Sequence, residues 1–210
     1  MLAFEQQAWT DGRLCVAGID EAGRGPWAGP VVASAIHIRP DFLRREEHGL
    51  FAGLTDSKKL SATRREHFFG VLTACEAVRF GIGFAEAHEI DSINILQATY
   101  LAMRRAFDAL NPPPDFALVD GNRLPPLPCA ARAIVGGDGK SLSIAAASIL
   151  AKVTRDRLLV KLDRMYPQYG FARHKGYGTA EHSAALKKFG PAPVHRMSFR
   201  PVRECLEPRT

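Results

Sequence analysis

Apolar and polar positions follow different periods along this chain, and the period changes at glycines and prolines. Residues 14–20 (LCVAGID) and 29–38 (GPVVASAIHI) are β-rich apolar runs separated by glycines and a proline, which predicts two strands joined by a tight connection. The charged stretch over 39–60 keeps no period and is expected to be irregular. Residues 61–77 (SATRREHFFGVLTACEA) predict a helix with Ser61 or Thr63 as N-cap, since Thr63 and Glu66 stand at capping-box spacing. Residues 78–85 (VRFGIGFA) return to a strand pattern. Over 93–110, Ile93, Leu96, Tyr100, Met103 and Phe107 recur every three or four residues, the spacing of an amphipathic helix that the following NPPP stops. DFALVD (115–120) and ARAIV (131–135) are short apolar runs of strand length.

From Lys140 to about Met165 small and apolar residues are dense, and SIAAASILAKV carries alanines on nearly every side, which suits a helix packed very closely on a sheet and buried at its start. A last helix is expected near TAEHSAALKKF, between Thr179 as N-cap and Gly190-Pro191. Early strands followed by alternating helices and strands predict an α/β fold, a mixed sheet with helices against it. There are no internal repeats, low-complexity tracts or heptads.

With 210 residues, 46% of them hydrophobic, the chain suits one domain and leaves no room for a second full one. Its net charge of +6 draws it toward polyanions such as nucleic acid or an anionic membrane surface. Cys15, Cys75, Cys129 and Cys205 show no CxxC spacing, so neither a zinc site nor a disulfide framework is indicated and a reducing cytoplasm fits. The N-terminus has no apolar leader pattern, and no charge-free run is long enough to cross a bilayer, so a cytoplasmic protein without a membrane partner is expected. Nothing in the sequence demands more than a monomer.

Four acids stand at strand ends or in loops: Asp20 and Glu21 after the first strand, Asp120 after FALV, and Asp138 in GGDGK. If the strands of 14–20 and 115–120 are neighbours, three of these carboxylates converge, which is unfavourable unless cations neutralise them. An all-oxygen site suits Mg²⁺ or Mn²⁺. Each acid alone has a plainer reading. Asp20-Glu21 also fits a solvated loop paired with Arg24, Asp120-Gly121 is a common hairpin signal, and Asp138 fits a turn or a helix N-cap.

The words around the acids carry a resemblance. GIDEAGRGPWAGPVV, LTDSKKLS, LVDGN, GGDGKSLSIAAASILAKVTRDR, MYPQYGFARHKGYGTAEH and HRMSFRPV resemble, in order and spacing, the motif series of ribonuclease HII from about residue 13 to 204. The resemblance implies a ribonuclease H-like fold, a mixed five-stranded sheet flanked by helices with a small C-terminal helical portion over about 166–210, all in one catalytic domain spanning 1–210. It also implies an endonuclease that cuts the RNA of RNA–DNA hybrids and single ribonucleotides in duplex DNA, leaving 3′-hydroxyl and 5′-phosphate ends through two-metal chemistry. By that resemblance Asp20, Glu21, Asp120 and Asp138 are the catalytic, Mg²⁺- or Mn²⁺-binding acids. Gly23, Arg24 and Gly25 are similar to the segment whose backbone approaches the ribose 2′-hydroxyl, where a side chain on either glycine would obstruct it. Tyr177 is similar to the tyrosine that contacts the ribonucleotide and stacks on the adjacent deoxyribose. Ser57 and Lys58 resemble positions near backbone phosphates.

Some positions stay outside that pattern. Trp27 stands where a smaller aliphatic residue is usual, residues 39–53 fit no motif, and no glutamine-led aromatic tail marks a sliding-clamp contact. The first motif starts too early for the N-terminal substrate-binding domain of ribonuclease HIII. Arg155 and Asp156 read as an ion pair, a surface charge or a substrate contact, and His174, His182 and His195 as duplex-facing donors or satisfied structural histidines without zinc spacing. Two other classes of function compete: a non-catalytic nucleic-acid-binding module on the same fold, and a general DNA nuclease.

Overall fold

The apolar runs become five strands of one mixed sheet in a computed structural model that describes residues 1–205. β1 (Val16–Ala22) pairs antiparallel with β2 (Val31–Ile38), and β2 pairs antiparallel with β3 (Val78–Ala85). On the other side of β1, β4 (Phe116–Asp120) and β5 (Ala130–Ile134) add in parallel, giving the order β3-β2-β1-β4-β5. Ile19 lies opposite Val119, so the parallel register brings Asp20 and Asp120 out at neighbouring strand ends. That placement follows from chain direction alone, because parallel neighbours finish on the same edge of the sheet.

Helices cover both faces. On one face lie α1 (Ala3–Thr10), α3 (Ala62–Ala74) and α5 (Leu142–Met165), sharing a core that includes Trp9, Phe51, Phe68, Leu72, Leu118 and Ile149. The opposite face is closed by α4 (Ala87–Asp108) through Ile90, Ala102, Met103 and Phe107. Small residues set both distances. A Cβ on Gly18 of β1 would come 2.2 Å from the Ser143 carbonyl carbon, and one on Gly83 of β3 would come 2.0 Å from the Ala102 carbonyl oxygen. The second half of α5 carries a third cluster, in which Leu159 and Leu162 meet Tyr169, Phe171, Leu186 and Val202 from α6 (Phe171–His174), α7 (Ala180–Phe189), α8 (Arg200–Arg203) and the loops between them. Residues 206–210, the end of the expected C-terminal portion and the place where a clamp-binding tail was sought, lie outside the described residues.

Several expectations need correction. The stretch over 39–60 is not all irregular: Pro40 at a first helical position opens α2 (Pro40–Glu46), where its fixed φ and missing N–H cost nothing. Ser61, not Thr63, caps α3, accepting from the Arg64 N–H at 3.2 Å. The helix expected from residue 93 starts at Ala87 and bends at Asn94, whose φ of 66° breaks it in two. The Asn94 carboxamide oxygen accepts from Leu96 N and Gln97 N and so restarts the helix as a cap would. The bend turns Ile93 outward, 39% exposed, while Ala98, Ala102 and Ala106 take the buried face. Thr179 and Gly190 bound α7 as expected. Among the described residues no helix is long and apolar enough to cross a membrane.

Candidate active site

β1 ends in two acids, and a strand sends successive side chains to opposite faces. Asp20 turns toward α5 and is buried, 5% exposed; Glu21 is partly exposed, with Arg24 Nη1 3.5 Å from its Oε1. Asp120 comes from the end of the adjacent strand, and one of its carboxylate oxygens accepts from Gly137 N at 2.6 Å. That bond docks the Gly137–Gly139 turn, which carries the buried Asp138, onto the strand end. Asp20, Asp120 and Asp138 each offer a carboxylate oxygen within 4.8 Å of the other two. The convergent trio is thus not the one the strand order alone suggested: Asp138 joins Asp20 and Asp120, and Glu21 stands beside them, reaching into a second cavity with Asp120, Asn122 and Arg123.

The cluster is electrostatically uncomfortable. Burial first, then the Glu21 and Asp120 charges, push Asp20 well above the usual carboxylate range. Burial and Asp120 likewise raise Asp138, and burial raises Glu21 against the pull of Arg24. Lys58 is the nearby counter-charge. Burial alone lowers an amine, yet Asp20, Asp56, Asp138 and Asp120 together outweigh that and raise it. Lys58, with Arg24 drawn to Glu21, leaves the four carboxylates short of positive charge, so the donor set, all hard oxygen, fits a divalent cation such as Mg²⁺ or Mn²⁺.

A cleft of about 600 Å³ opens beside Asp20 and Glu21, lined among others by Gly23, Arg24, Gly25, Lys58, Lys152 and Tyr177. Lys58 is carried on the tight turn Ser57–Lys59, where Asp56 accepts from Lys58 N at 2.9 Å. The turn is tied down from two helices: Ser148 of α5 donates to the buried Ser57 hydroxyl at 2.7 Å, and Arg65 of α3 donates to the Ser57 and Leu60 carbonyls. Ser57 therefore lines the cleft mainly as a support. Tyr177 is 48% exposed, so its ring is available to a ligand.

The two glycines of the GRG segment differ. A Cβ on Gly23, where φ is +98°, would strike Arg155 Nε at 2.0 Å, so Gly23 is required by the protein's own packing. A Cβ on Gly25 would meet nothing closer than Tyr177 Cε1 at 3.8 Å, leaving its bare backbone open to the cleft. Behind the segment lie two buried guanidiniums, Arg155, whose role the sequence left open, and Arg196, which it gave no role. Arg155 donates to the carbonyls of Ala28, Pro30 and Lys175, all at 3.0 Å. Arg196 donates to those of Gly23, Arg24 and Gly29. Burial lowers Arg155 to about 10, and burial together with the neighbouring Arg155 charge lowers Arg196 to about 9, both still cationic at neutral pH. Arg155 is thus neither an ion pair nor a surface charge. Asp156 instead pairs with Lys152 at 2.7 Å. The one available signal was position, since both arginines fall inside the quoted motifs.

His182 and His195 are buried and joined Nε2 to Nε2 at 3.0 Å, and the other ring nitrogen of each bonds to backbone, so they are satisfied structural groups. Trp27 packs against His182, with ring centroids 5.4 Å apart, and fills the space under Gly178, beside Tyr177.

A profile of the family described as Ribonuclease HII matches residues 17–202. The chain belongs to the ribonuclease HII family. It is 59% identical over 191 residues to the ribonuclease HII of Rhodospirillum rubrum, covering 91% of this chain and 86% of that protein. It is 53% identical over 205 residues to that of Syntrophotalea carbinolica, covering 98% and 94%. Among solved structures, the ribonuclease H2 of Pyrococcus horikoshii superposes with a TM-score of 0.74 at 29% identity, over 90% of this chain and 96% of that one. Ribonuclease HII is a metal-dependent endonuclease of the RNA strand in RNA–DNA hybrids, so the cleft described above belongs to a hydrolase of that class, and its fold is ribonuclease H-like.

Proposed function

We propose that Asp20, Glu21, Asp120 and Asp138 are the catalytic and metal-holding acids, and that the enzyme cleaves both RNA–DNA hybrids and single ribonucleotides within duplex DNA, leaving 3′-hydroxyl and 5′-phosphate ends. The observation that carries this reading is the meeting of the Asp20, Asp120 and Asp138 carboxylates within 4.8 Å, with Asp20 on the wall of a cleft that also holds the open backbone of Gly25 and the exposed ring of Tyr177. When bound, a pair of Mg²⁺ or Mn²⁺ ions supplies water activation and stabilisation of the departing 3′ oxygen. The protein's own groups do the rest. Lys58, exposed beside the acids, meets a backbone phosphate, and Ser57 supports its turn. The main chain of Gly23, Arg24 and Gly25 reaches the ribose 2′-hydroxyl, the group that separates RNA from DNA. Tyr177 contacts the ribonucleotide and stacks on the neighbouring sugar, selecting the junction. The net charge of +6 adds affinity that falls as salt rises.

The test compares three duplexes: all-DNA, DNA with one ribonucleotide, and an RNA–DNA hybrid, each with Mg²⁺, Mn²⁺ or chelator, for the wild type and Asp20→Asn. Cleavage of the two ribose-containing duplexes only, abolished by chelator and by Asp20→Asn, is the expected result. Comparable cutting of the all-DNA duplex makes the enzyme a general nuclease, and retained turnover in Asp20→Asn removes the assigned role.

A further inference from the structure

Glu5 is a charged residue with no solvent exposure, on a helix that belongs to none of the motifs quoted above. Its Oε1 accepts from the Ser141 hydroxyl at 2.6 Å and from Ser143 N at 2.9 Å, while its Oε2 is buried with no partner among the described residues. A buried carboxylate oxygen lacking a donor is a cost to folding. An apolar residue would fill the space without that cost, but it would leave the Ser143 N–H and the Ser141 hydroxyl without this acceptor. What an apolar residue cannot do is hold the first turn of α5.

That turn starts inside the protein, where its free N–H groups have no water to bond. Met1 O accepts from Leu142 N at 3.0 Å, Glu5 from Ser143 N, and the Ser141 hydroxyl from Ile144 N at 3.2 Å. All three donors are therefore met by α1's segment, directly or through Ser141. Ser141 is also the next link toward the acids. Its N–H donates to the Gly137 carbonyl at 2.8 Å, and Gly137 N donates to the Asp120 carboxylate at 2.6 Å. Asp138 follows Gly137 in the turn that the Ser141 bond closes. The strand side is equally tight, since Gly18, two residues before Asp20, admits the Ser143 backbone only because it lacks a Cβ.

We propose that Glu5 is a positioning residue for the acid cluster: through Ser141 it fixes the start of α5 and the Gly137–Gly139 turn, and so holds Asp138 at its distance from Asp120 and Asp20. This rests on the metal-holding reading of those acids. Losing Glu5 therefore weakens cation binding while leaving the duplex-binding groups, Lys58, Gly25 and Tyr177, in place. Carboxylate charge is not needed for this, only an acceptor, so glutamine in its place keeps the link.

The experiment is Mn²⁺ titration by calorimetry on the full chain for the wild type, Glu5→Ala, Glu5→Gln, Ser141→Ala and the double alanine variant, each first checked for folding by circular dichroism, with KM for a singly ribo-substituted duplex measured alongside. Glu5→Ala and Ser141→Ala are each expected to raise the Mn²⁺ Kd about tenfold, the size usual for groups that orient metal ligands. The double variant is expected to do no worse than the poorer single one, Glu5→Gln to stay within about twofold of wild type, and KM to change little. A folded Glu5→Ala with wild-type Mn²⁺ affinity overturns the proposal, as do effects that multiply in the double variant. If Glu5→Ala does not fold, Ser141→Ala decides: a raised Kd supports the proposal and an unchanged one overturns it. A wild type that binds no Mn²⁺ would instead overturn the metal-holding reading itself, so the two failures are told apart.

Discussion

Two regions of this enzyme bury charge without an opposite charge of equal weight, and they do it in opposite ways. At the strand ends, Asp20, Asp120 and Asp138 face one another with the Lys58 ammonium as a near counter-charge, and burial and mutual repulsion raise Asp20 and Asp138. Beneath the GRG segment, Arg155 and Arg196 are just as buried, yet six backbone carbonyls take up their donors and the guanidiniums stay cationic. The acids are left short of counter-charge, with Asp20 on the wall of the cleft and Asp120 on that of a neighbouring cavity. The arginines are satisfied by the chain itself and shape the backbone that faces that space. A buried charge turned to a cleft therefore marks a binding group, and one turned to its own main chain marks a scaffold.

The largest expected effect is on turnover. Asp20→Asn is expected to fold and to lose about 10³-fold or more in kcat, since metal-assisted charge stabilisation is worth several kcal/mol; a steady-state assay on the singly ribo-substituted duplex measures it. Arg196→Ala should show the opposite profile, losing about 3 kcal/mol or more of stability in urea unfolding because the Gly23, Arg24 and Gly29 carbonyls lose their donors, at about 1–3 kcal/mol for each group left unpaired. Arg196→Lys is not expected to restore it, because an ammonium lacks the planar fork that reaches three carbonyls. If Arg196→Ala melts like the wild type, the scaffold half of the comparison breaks.

The same contrast gives opposite pH responses. Burial, then His182, lowers His195 to about 4, so the unfolded chain takes up a proton before the folded one does. Stability from this group is complete above pH 6.5 and falls by about 3 kcal/mol as pH drops toward 4. The site acids have raised folded values, so in metal-free protein acidification toward their ordinary range relieves their repulsion and adds stability. Urea titrations at pH 7 and pH 5, with and without Mn²⁺, separate the two: the metal-loaded form should lose more stability on acidification than the metal-free form. The smallest expected effect belongs to Tyr177→Ala, about tenfold in kcat/KM on the singly ribo-substituted duplex with stability unchanged, from one lost stacking contact at an exposed ring.

The sheet was readable because strand runs are short and apolar, most of them beside a glycine or proline, and the proposed acids stood out because they fall at strand ends or in loops. What escaped did so for physical reasons. In α1 the buried face is Glu5, Ala8 and Trp9, and a carboxyl group held inside by one hydroxyl and one backbone N–H looks like a solvent-facing group in a linear sequence. The break at Asn94 depends on one backbone angle that leaves the apolar spacing intact. Arg155 and Arg196 bond carbonyls 20 to 173 residues away, and a carbonyl acceptor has no residue type to recognise. Asp138 rather than Glu21 completes the tight trio because side-chain direction at a strand end, not proximity in sequence, decides which acids meet.

The central claim, that the acid cluster is held together against its own repulsion for the sake of a cation, is tested most directly by thermal melting of chelated wild type and Asp20→Asn at pH 7, before and after adding Mn²⁺. Chelated Asp20→Asn should melt about 2–4 °C above chelated wild type, and Mn²⁺ should raise the wild type by more than the variant. A variant that melts below the wild type without metal, or gains as much from Mn²⁺, contradicts the account.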